Sequence, residues 1–212
     1  MPPTLLPLGD RGLLIRFADS LSDAANAAAI GFGRCAAVAA LPGVVEVVPN
    51  LVSVLLRYDP GVIGFDRLAG EVRVLLSGPA EPLGEGASHV IPVRFDGDDL
   101  DAVADTLGMS PAAFVAAHNE KPLRVLATGF APGFVYCGFH DEGLHLARRE
   151  AVRPRVPGGT VLFAAGQTAI TSTPIPTGWH VIGHTEFRNL DISAAPPTHL
   201  AAGDRVRFEG AT

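Results

Sequence analysis

The sequence has few of the residues that several enzyme classes require. Its 212 residues include two cysteines, Cys35 and Cys137, and neither lies in the spacing of a zinc site or a redox pair. This scarcity argues against a disulfide framework and favours a reducing, cytoplasmic location. Lys121 is the single lysine and lies in an Asn-Glu-Lys-Pro turn, away from any Gly/Ser-rich segment. A self-sufficient amidase with a Ser-Ser-Lys relay is therefore not expected.

The sequence also lacks the features of several other classes of protein. No run approaches ~18 uninterrupted apolar residues, and no basic region precedes an apolar core at the start, so we expect neither a membrane span nor a signal peptide. The 16 basic and 22 acidic side chains give a net charge of −6, which argues against nucleic acid as a partner. The chain contains no G-x-x-x-x-G-K-[ST] and no G-x-S-x-G. A P-loop ATPase and a serine hydrolase with a nucleophile elbow are thus excluded.

The first part of the sequence predicts a small α/β sandwich over residues 1–86. Apolar runs predict strands at 12–17, 44–48 and 52–58. Ser22 and Asp66 are the predicted N-caps of two helices, the first reaching about Ala40. Residues 78–88 are dense in glycine and proline, which is typical of a linker. The resulting order is β-α-β-β-α, with the helices on one face.

The second part, residues 87–212, predicts a β-rich domain. A strand at 89–95 is followed by a helix capped by Asp98 or Asp99 and by another that begins at Ser110-Pro111. After residue 123 the chain has short apolar runs separated by Gly, Pro and Thr, at 124–128, 134–137, 160–164, 168–172, 179–183 and 205–208. Many short strands at this spacing favour a β-barrel or sandwich, and the whole chain is predicted to be α+β.

Two segments indicate a ligand site. The segment Gly129-Phe-Ala-Pro-Gly-Phe-Val-Tyr136 combines glycines and aromatic residues, which suits a rigid loop beside a cleft, although a tight turn in a barrel core would have the same composition. Four arginines follow within eight residues, and bidentate guanidinium groups suit a phosphate or carboxylate. If 152–156 is extended, Arg153 and Arg155 share a face and could clamp one anion. A solvated or interface cluster is the alternative.

Other polar residues are weaker candidates. His118, at the end of a predicted helix, is either a partner of the helix dipole or a site residue. Cys137 is open as a thiol nucleophile, but its apolar flanks favour a core position. His180 and His184 are four residues apart, but 179–183 is a predicted strand, in which four residues span ~13 Å, so they cannot share a metal ion. His140 and its polar neighbours are interpreted as a solvated loop, and no metal is predicted.

The chain resembles the KipI-like family, also called allophanate hydrolase subunit 1 or the B subunit of 5-oxoprolinase. The resemblance extends over nearly the whole length and is carried by ordered motifs. They are Gly9-Asp-Arg-Gly-Leu-Leu-Ile15, Leu41-Pro-Gly-Val-Val-Glu-Val-Val-Pro49, Phe95-Asp-Gly-Asp-Asp99-Leu, the segment 129–136, Arg153-Pro-Arg-Val-Pro157, Gly166-Gln-Thr168, Gly178-Trp179 and Gly203-Asp-Arg-Val-Arg-Phe208. Departures from the family pattern, such as His184 in place of the usual arginine, bear on the substrate more than on the fold.

The resemblance implies an N-terminal α/β sandwich followed by a cyclophilin-like β-barrel. It also implies an ATP-dependent complex with a second cyclophilin-like subunit and a third hydrolase subunit, which converts 5-oxoproline to glutamate. ATP would be shared with a partner, and arginines would offset phosphate charge. Alternatives are an allophanate hydrolase subunit and a KipI-type inhibitor of sensor kinases acting as a binding module. A prolyl isomerase is discounted, since a similar barrel does not supply that site.

The resemblance also leads to an assignment of site residues. His118, Arg153 and Arg155 are predicted to be catalytic, with His118 as a proton carrier. The remaining predicted residues shape the pocket or bind the anion. They are Gly129, Phe130, Pro132, Gly133, Phe134, Tyr136, Arg148, Arg149, Gln167 and Trp179.

Overall fold

The chain divides into two compact units, Met1–Glu85 and Gly86–Thr212. The computed structural model describes residues 2–78, 84 and 86–211. Most of the predicted linker, residues 79–83 and 85, lies outside the described residues, so the linker stays a prediction. No helix in the described part of the chain has the length and apolar character needed to cross a membrane.

The first unit is a four-stranded antiparallel sheet with two helices. Its strands pair in the order β1-β2-β4-β3. The elements are β1 (Thr4–Leu8), β2 (Gly12–Arg16), α1 (Asp23–Ala39), β3 (Val44–Pro49), β4 (Ser53–Tyr58) and α2 (Phe65–Ser77). Alternate residues of the central strands, such as Leu13 and Leu56, are fully buried in one cluster with Ala29 of α1 and Leu68 of α2. The helices therefore cover one face of the sheet.

Of the two helix caps predicted for this unit, one is present in the structure. Ser22 caps α1 as predicted, since its side chain accepts a hydrogen bond from the N–H of Ala25 at 3.2 Å. Asp66 is not a cap: the N-cap of α2 is Gly64, and Asp66 lies in the first turn, where its charge still favours the helix dipole. Strand β1 was not predicted. It contains Pro7, and a proline is tolerated here because β1 is an edge strand.

The second unit is built on a seven-stranded sheet in the order β12-β9-β10-β7-β6-β13-β5. Its elements are β5 (Ser88–Val93), α3 (Leu100–Thr106), α4 (Pro111–His118), β6 (Leu123–Thr128), β7 (Val135–Gly138), β8 (Arg153–Val156), β9 (Thr160–Ala164), β10 (Gln167–Ile170), β11 (Ile175–Thr177), β12 (His180–His184) and β13 (Arg205–Gly210). The edges meet where Arg94 and His184 exchange backbone hydrogen bonds of 2.9 and 2.8 Å. The expected α+β fold, a sandwich followed by a barrel, is confirmed.

The two faces of the barrel strands bury different clusters. On β9, Val161 and Phe163 join a large core that α3 and α4 also enter. Leu162 and Ala164 face the other way, into a smaller cluster with Trp179. The two-stranded ribbon of β8 and β11 contributes to this second cluster. Successive side chains of one strand therefore lie in different clusters. Only candidate residues on the same face of the sheet can contact one ligand.

Candidate functional site

A pocket lies over the smaller cluster of the second unit. Its lining comes from the glycine-aromatic segment, from the chain before β8 and from β11 with the residues that follow it. The lining residues are Phe130, Phe134, Tyr136, Arg148, Ile175, Pro176, Thr177, Gly178 and Trp179. Five of them were predicted site residues, and they come from three separate stretches of sequence. The fold therefore brings a large part of the predicted site together.

The glycine-aromatic segment forms a tight loop that leads into β7. Gly129 and Gly133 have φ values of +99° and +70°, which residues with a Cβ rarely adopt. The loop is closed by a hydrogen bond from the N–H of Gly129 to the carbonyl of Phe134, at 3.0 Å. The two glycines and the exposed Pro132 shape the loop without lining the pocket. Their contribution to the pocket is the placement of the aromatic rings.

Aromatic rings form a continuous wall of this pocket. Phe134 packs against Phe130 with ring centroids 5.3 Å apart and against Tyr136 at 4.7 Å. Tyr136 in turn lies 5.9 Å from Trp179. Phe130 is 62% exposed at the mouth, whereas Trp179 is buried at the floor. Such a wall offers flat apolar surfaces to a small ring-shaped ligand.

Arg148 supplies positive charge to the pocket. Its guanidinium carbon lies 5.6 Å from the ring centroid of Trp179, a cation–π contact. Burial raises the pKa of Tyr136 above its ordinary value, although the charge of Arg148 acts in the opposite direction. The phenol therefore stays protonated at neutral pH and can donate a hydrogen bond. The pocket combines an apolar wall, a cation and a neutral donor.

Two of the four arginines are held by a buried carboxylate. Asp99 is 6% exposed and accepts a hydrogen bond from Arg149 Nη1 at 2.6 Å. Arg153 binds the same carboxylate with both Nη1 and Nη2, the latter at 3.0 Å. The N–H of Val181 donates to Asp99 Oδ2 at 2.7 Å. A buried carboxylate must be paired, and this one is bound by two guanidinium groups, of which its single charge balances one.

The four arginines therefore do not form the single anion clamp that their spacing suggested. Arg148 lies in the pocket, Arg149 and Arg153 bind Asp99, and Arg155 is exposed on β8. The proposed pairing of Arg153 with Arg155 on one anion is corrected for the same reason. The spacing showed that the four arginines are close together along the chain. The carboxylate that binds two of them lies about fifty residues away in the sequence, so the spacing could not indicate this pairing.

His118 is the third residue predicted to be catalytic. It is 1% exposed in the large barrel core, on the other face of the strands from the pocket. Its Nδ1 lies 2.7 Å from Asn119 Oδ1, and its Nε2 lies 2.8 Å from Thr168 Oγ1, which is also 2.8 Å from Nε2 of His140. Burial lowers the pKa of His118 to about 4, so the ring is neutral. It lies in the core and does not line this pocket, so its predicted role as a proton carrier stays a prediction.

The remaining candidates take structural positions. Gln167 is buried on β10 and does not line the pocket, and its Oε1 accepts no hydrogen bond from the described residues. Cys137 is fully buried, and burial raises the pKa of its thiol to about 12, so the thiolate needed for nucleophilic attack does not form. Strand β12 contains both His180 and His184, whereas the predicted strand ended at Gly183. Among the described residues no three His, Cys, Asp or Glu side chains group closely enough to hold a metal ion.

Sequence reasoning missed several site residues. Ile175, Pro176, Thr177 and Gly178 complete the pocket, and the signal for them was their position just before the predicted Trp179. Asp99 was considered only as a helix cap. It is the N-cap residue of α3, but its side chain makes no capping hydrogen bond and is directed to the arginines instead.

Comparison with known proteins places this geometry in a family. Residues 3–200 match the model of the carboxyltransferase domain, subdomain C and D. The chain is 30% identical to the 5-oxoprolinase B subunit of Bacillus subtilis (strain 168) over 215 residues, which cover 95% of this chain and 90% of that protein.

Solved structures show the same fold. The crystal structure of TTHA0988 matches with a TM-score of 0.84 and 37% identity, covering 95% of this chain and 40% of that one. The chain thus spans about two fifths of TTHA0988. The urea amidolyase of K. lactis matches with a TM-score of 0.77 and 15% identity, covering 99% of this chain and 15% of that one. At this identity the likeness concerns the fold alone.

Proposed function

Because the chain belongs to the family of the carboxyltransferase domain, subdomain C and D, together with the B subunits of 5-oxoprolinases, we propose that it is one component of an ATP-dependent hydrolase complex. The substrate class is a small cyclic amide that carries a carboxylate, with 5-oxoproline as the best candidate. The observation that carries this proposal is the guanidinium of Arg148 placed 5.6 Å over the ring of Trp179 in an aromatic pocket.

The chemistry of the pocket suits such a ligand. A five-membered lactam is nearly flat and packs against Trp179 and Phe134. Its carboxylate pairs with the guanidinium of Arg148, a charge-assisted contact in a partly apolar setting. Tyr136, protonated because burial raises its pKa, donates to the lactam oxygen. One cation and one neutral donor match the one carboxylate and one carbonyl of 5-oxoproline.

The pocket does not fit ATP. A triphosphate requires several cationic or N–H donors, and among the described lining residues Arg148 is the single cation. Arg149 and Arg153 lie nearby but are bound to Asp99. The proposal assigns the nucleotide phosphates to a partner subunit, in an assembly of this chain with a second cyclophilin-like subunit and a third hydrolase subunit. This chain contributes the recognition of the amide.

Ligand binding tests the proposal without partner subunits. Trp179 is the only tryptophan in the chain, so its fluorescence reports on the pocket. We expect 5-oxoproline to change this emission with saturation, and 2-pyrrolidinone, which lacks the carboxylate, to bind more weakly. Arg148→Ala removes a charge-assisted contact and is expected to raise the Kd for 5-oxoproline ~10- to 100-fold while leaving 2-pyrrolidinone unaffected. Arg207→Ala, at an exposed position on β13 outside the lining, is the matched control.

Activity is tested in the assembled complex. With the two partner subunits, we expect ATP-dependent release of glutamate from 5-oxoproline and its loss in the Arg148→Ala complex. Arg155→Ala in the same assay tests whether the exposed arginine of β8 contributes. A wild-type protein that binds neither lactam, or an Arg148→Ala protein that binds 5-oxoproline as tightly as wild type, would overturn the proposal.

A further inference from the structure

The position of Arg148 is not set by regular secondary structure. Residues 145–152 form neither helix nor strand. The start of this segment is held by backbone contacts, from the N–H of Ala165 to the carbonyl of Leu146 at 2.6 Å and from His180 Nε2 to the carbonyl of Ala147 at 3.0 Å. A long side chain on such a segment keeps one orientation only if the chain on both sides of it is anchored. The contacts that hold the chain after Arg148 therefore determine whether its guanidinium stays in the pocket.

The side-chain contacts after Arg148 are made to the carboxylate of Asp99. Arg149, the residue after Arg148, donates from Nη1 to Asp99 Oδ1 at 2.6 Å, and its backbone N–H donates to the carbonyl of Gly178 at 2.8 Å. Arg153, at the start of β8, binds the same carboxylate with two nitrogens. The segment after Arg148 is thus tied down at 149 and again at 153. Both side-chain ties end on one group.

The same carboxylate also holds the chain that carries Trp179. Asp99 Oδ2 accepts a hydrogen bond at 2.7 Å from the N–H of Val181, two residues after Trp179. Burial would raise the pKa of Asp99, but the hydrogen bonds from Arg153 and Val181 and the charges of Arg153 and Arg149 hold it below its ordinary value. Asp99 is therefore ionised at neutral pH, and its carboxylate binds both segments as an anion.

The geometry points to Asp99 as the positioning residue that holds Arg148 over Trp179 and so sets the affinity of the pocket for a carboxylate. This inference deepens the proposed function and rests on it for the identity of the ligand. Asp99 does not line the pocket and touches no ligand there. It acts by adding side-chain contacts to the backbone contact of Arg149 with Gly178, and together these join the two segments that carry Arg148 and Trp179.

Asp98 provides a matched control for the test. Asp98→Asn and Asp99→Asn make the same chemical change at adjacent positions. The Asp98 side chain is 83% exposed, and its contact with Arg153 is an ion pair of 3.9 Å. Asp99, in contrast, is the centre of the network. Asp98→Asn therefore controls for the loss of one negative charge beside Arg153, and an effect of lost anchoring is specific to Asp99→Asn.

The first measurement needs no ligand. We expect the emission spectrum of Trp179 in unliganded Asp99→Asn to differ from wild type, because the guanidinium of Arg148 leaves the ring, and to be unchanged in Asp98→Asn. The second measurement is the Kd for 5-oxoproline, expected to rise about tenfold in Asp99→Asn, as for a partly lost charge-assisted contact. In the double variant Asp99→Asn/Arg148→Ala the Kd should equal that of Arg148→Ala alone, since the anchor acts through Arg148.

Other outcomes decide against the inference. Unchanged Trp179 emission in folded Asp99→Asn, or a double variant whose two effects add, would overturn it. If Asp99→Asn fails to fold, Asp99→Glu keeps the charge and displaces it by one methylene, and the same emission and Kd shifts are required of it. If wild type does not bind 5-oxoproline, the proposed substrate fails, while the emission difference between Asp99→Asn and Asp98→Asn still decides the positioning role.

Discussion

Two histidines of the barrel that share a hydrogen bond with Thr168, the buried His118 and the partly buried His140, predict a loss of stability in mild acid; the interpretation of His140 as a solvated loop residue was wrong. Asn119 Oδ1 accepts from Nδ1 of His118, so His118 Nε2 accepts from the hydroxyl of Thr168, which accepts in turn from His140 Nε2. The network requires a neutral His118, because its Nε2 must accept from Thr168, whereas His140 is kept neutral by its burial. Burial lowers the pKa of His118 to about 4, and burial with the charges of His118 and Lys121 lowers the pKa of His140 to about 3.

The direction and size of the effect follow from these values. Both folded-state pKa values lie below the ordinary value of 6.5, so the unfolded chain binds more protons than the folded one in mild acid. The stabilisation is complete above pH 6.5 and is lost as the pH falls toward 4 and 3. At pH 5 each histidine lowers the free energy of unfolding by ~2 kcal/mol relative to pH 8, together ~4 kcal/mol.

The assay is urea unfolding at fixed pH values from 8 to 5, followed by the fluorescence of Trp179. Carboxylates with ordinary pKa values stay largely ionised over this range, so the histidines dominate. In His118→Gln the decline between pH 8 and pH 5 should be smaller than in wild type by ~2 kcal/mol. His145→Gln changes an exposed histidine and should leave the decline as it is. An equal decline in wild type and His118→Gln would refute the reasoning.

Two further predictions concern cysteine and glycine. In native protein an aromatic disulfide reagent should label one thiol per chain, the exposed Cys35, and label Cys137 only in denaturant, since burial raises the pKa of Cys137 to about 12; native labelling of both thiols would contradict this. Gly159→Ala should lower the free energy of unfolding by ~2 kcal/mol or more, because φ is +85° and a Cβ would collide with Arg188. Gly70→Ala in α2, where a Cβ meets nothing within 4 Å, should instead raise it by up to ~1 kcal/mol in thermal or urea unfolding.

Local signals predicted the regular elements well where one short stretch contained the whole signal. The helix α1 follows from Ser22 and the alanine-rich run behind it, and α4 follows from Ser110 before Pro111. The strand Thr160–Ala164 was predicted with its observed bounds. Strand β1 was missed because Pro7 is unfavourable in a strand unless the strand lies at an edge. Edge position is a property of the sheet and cannot be read from five residues.

The site residues, too, were predicted where their signal lay in one short stretch of sequence. The glycine-aromatic loop, Arg148 and Trp179 were recognised from composition and motif, and they meet in one pocket. The pairing of Arg149 and Arg153 with Asp99 was not predicted, because the partners lie 50 and 54 positions apart. A cluster of arginines has the same local sequence whether its side chains bind a ligand or pair with a carboxylate of the same protein.

The amino-acid sequence by itself determined the class of this protein: two parts of different patterning, short strands punctuated by glycine and proline, and an aromatic loop followed by arginines. Each of these depends on neighbours a few positions away, and local propensity acts at that range. The tertiary structure decided which face of each strand a side chain occupies. His118 was thereby placed in the core, Arg148 in the pocket and Asp99 between two segments, because burial and charge pairing depend on distances in space.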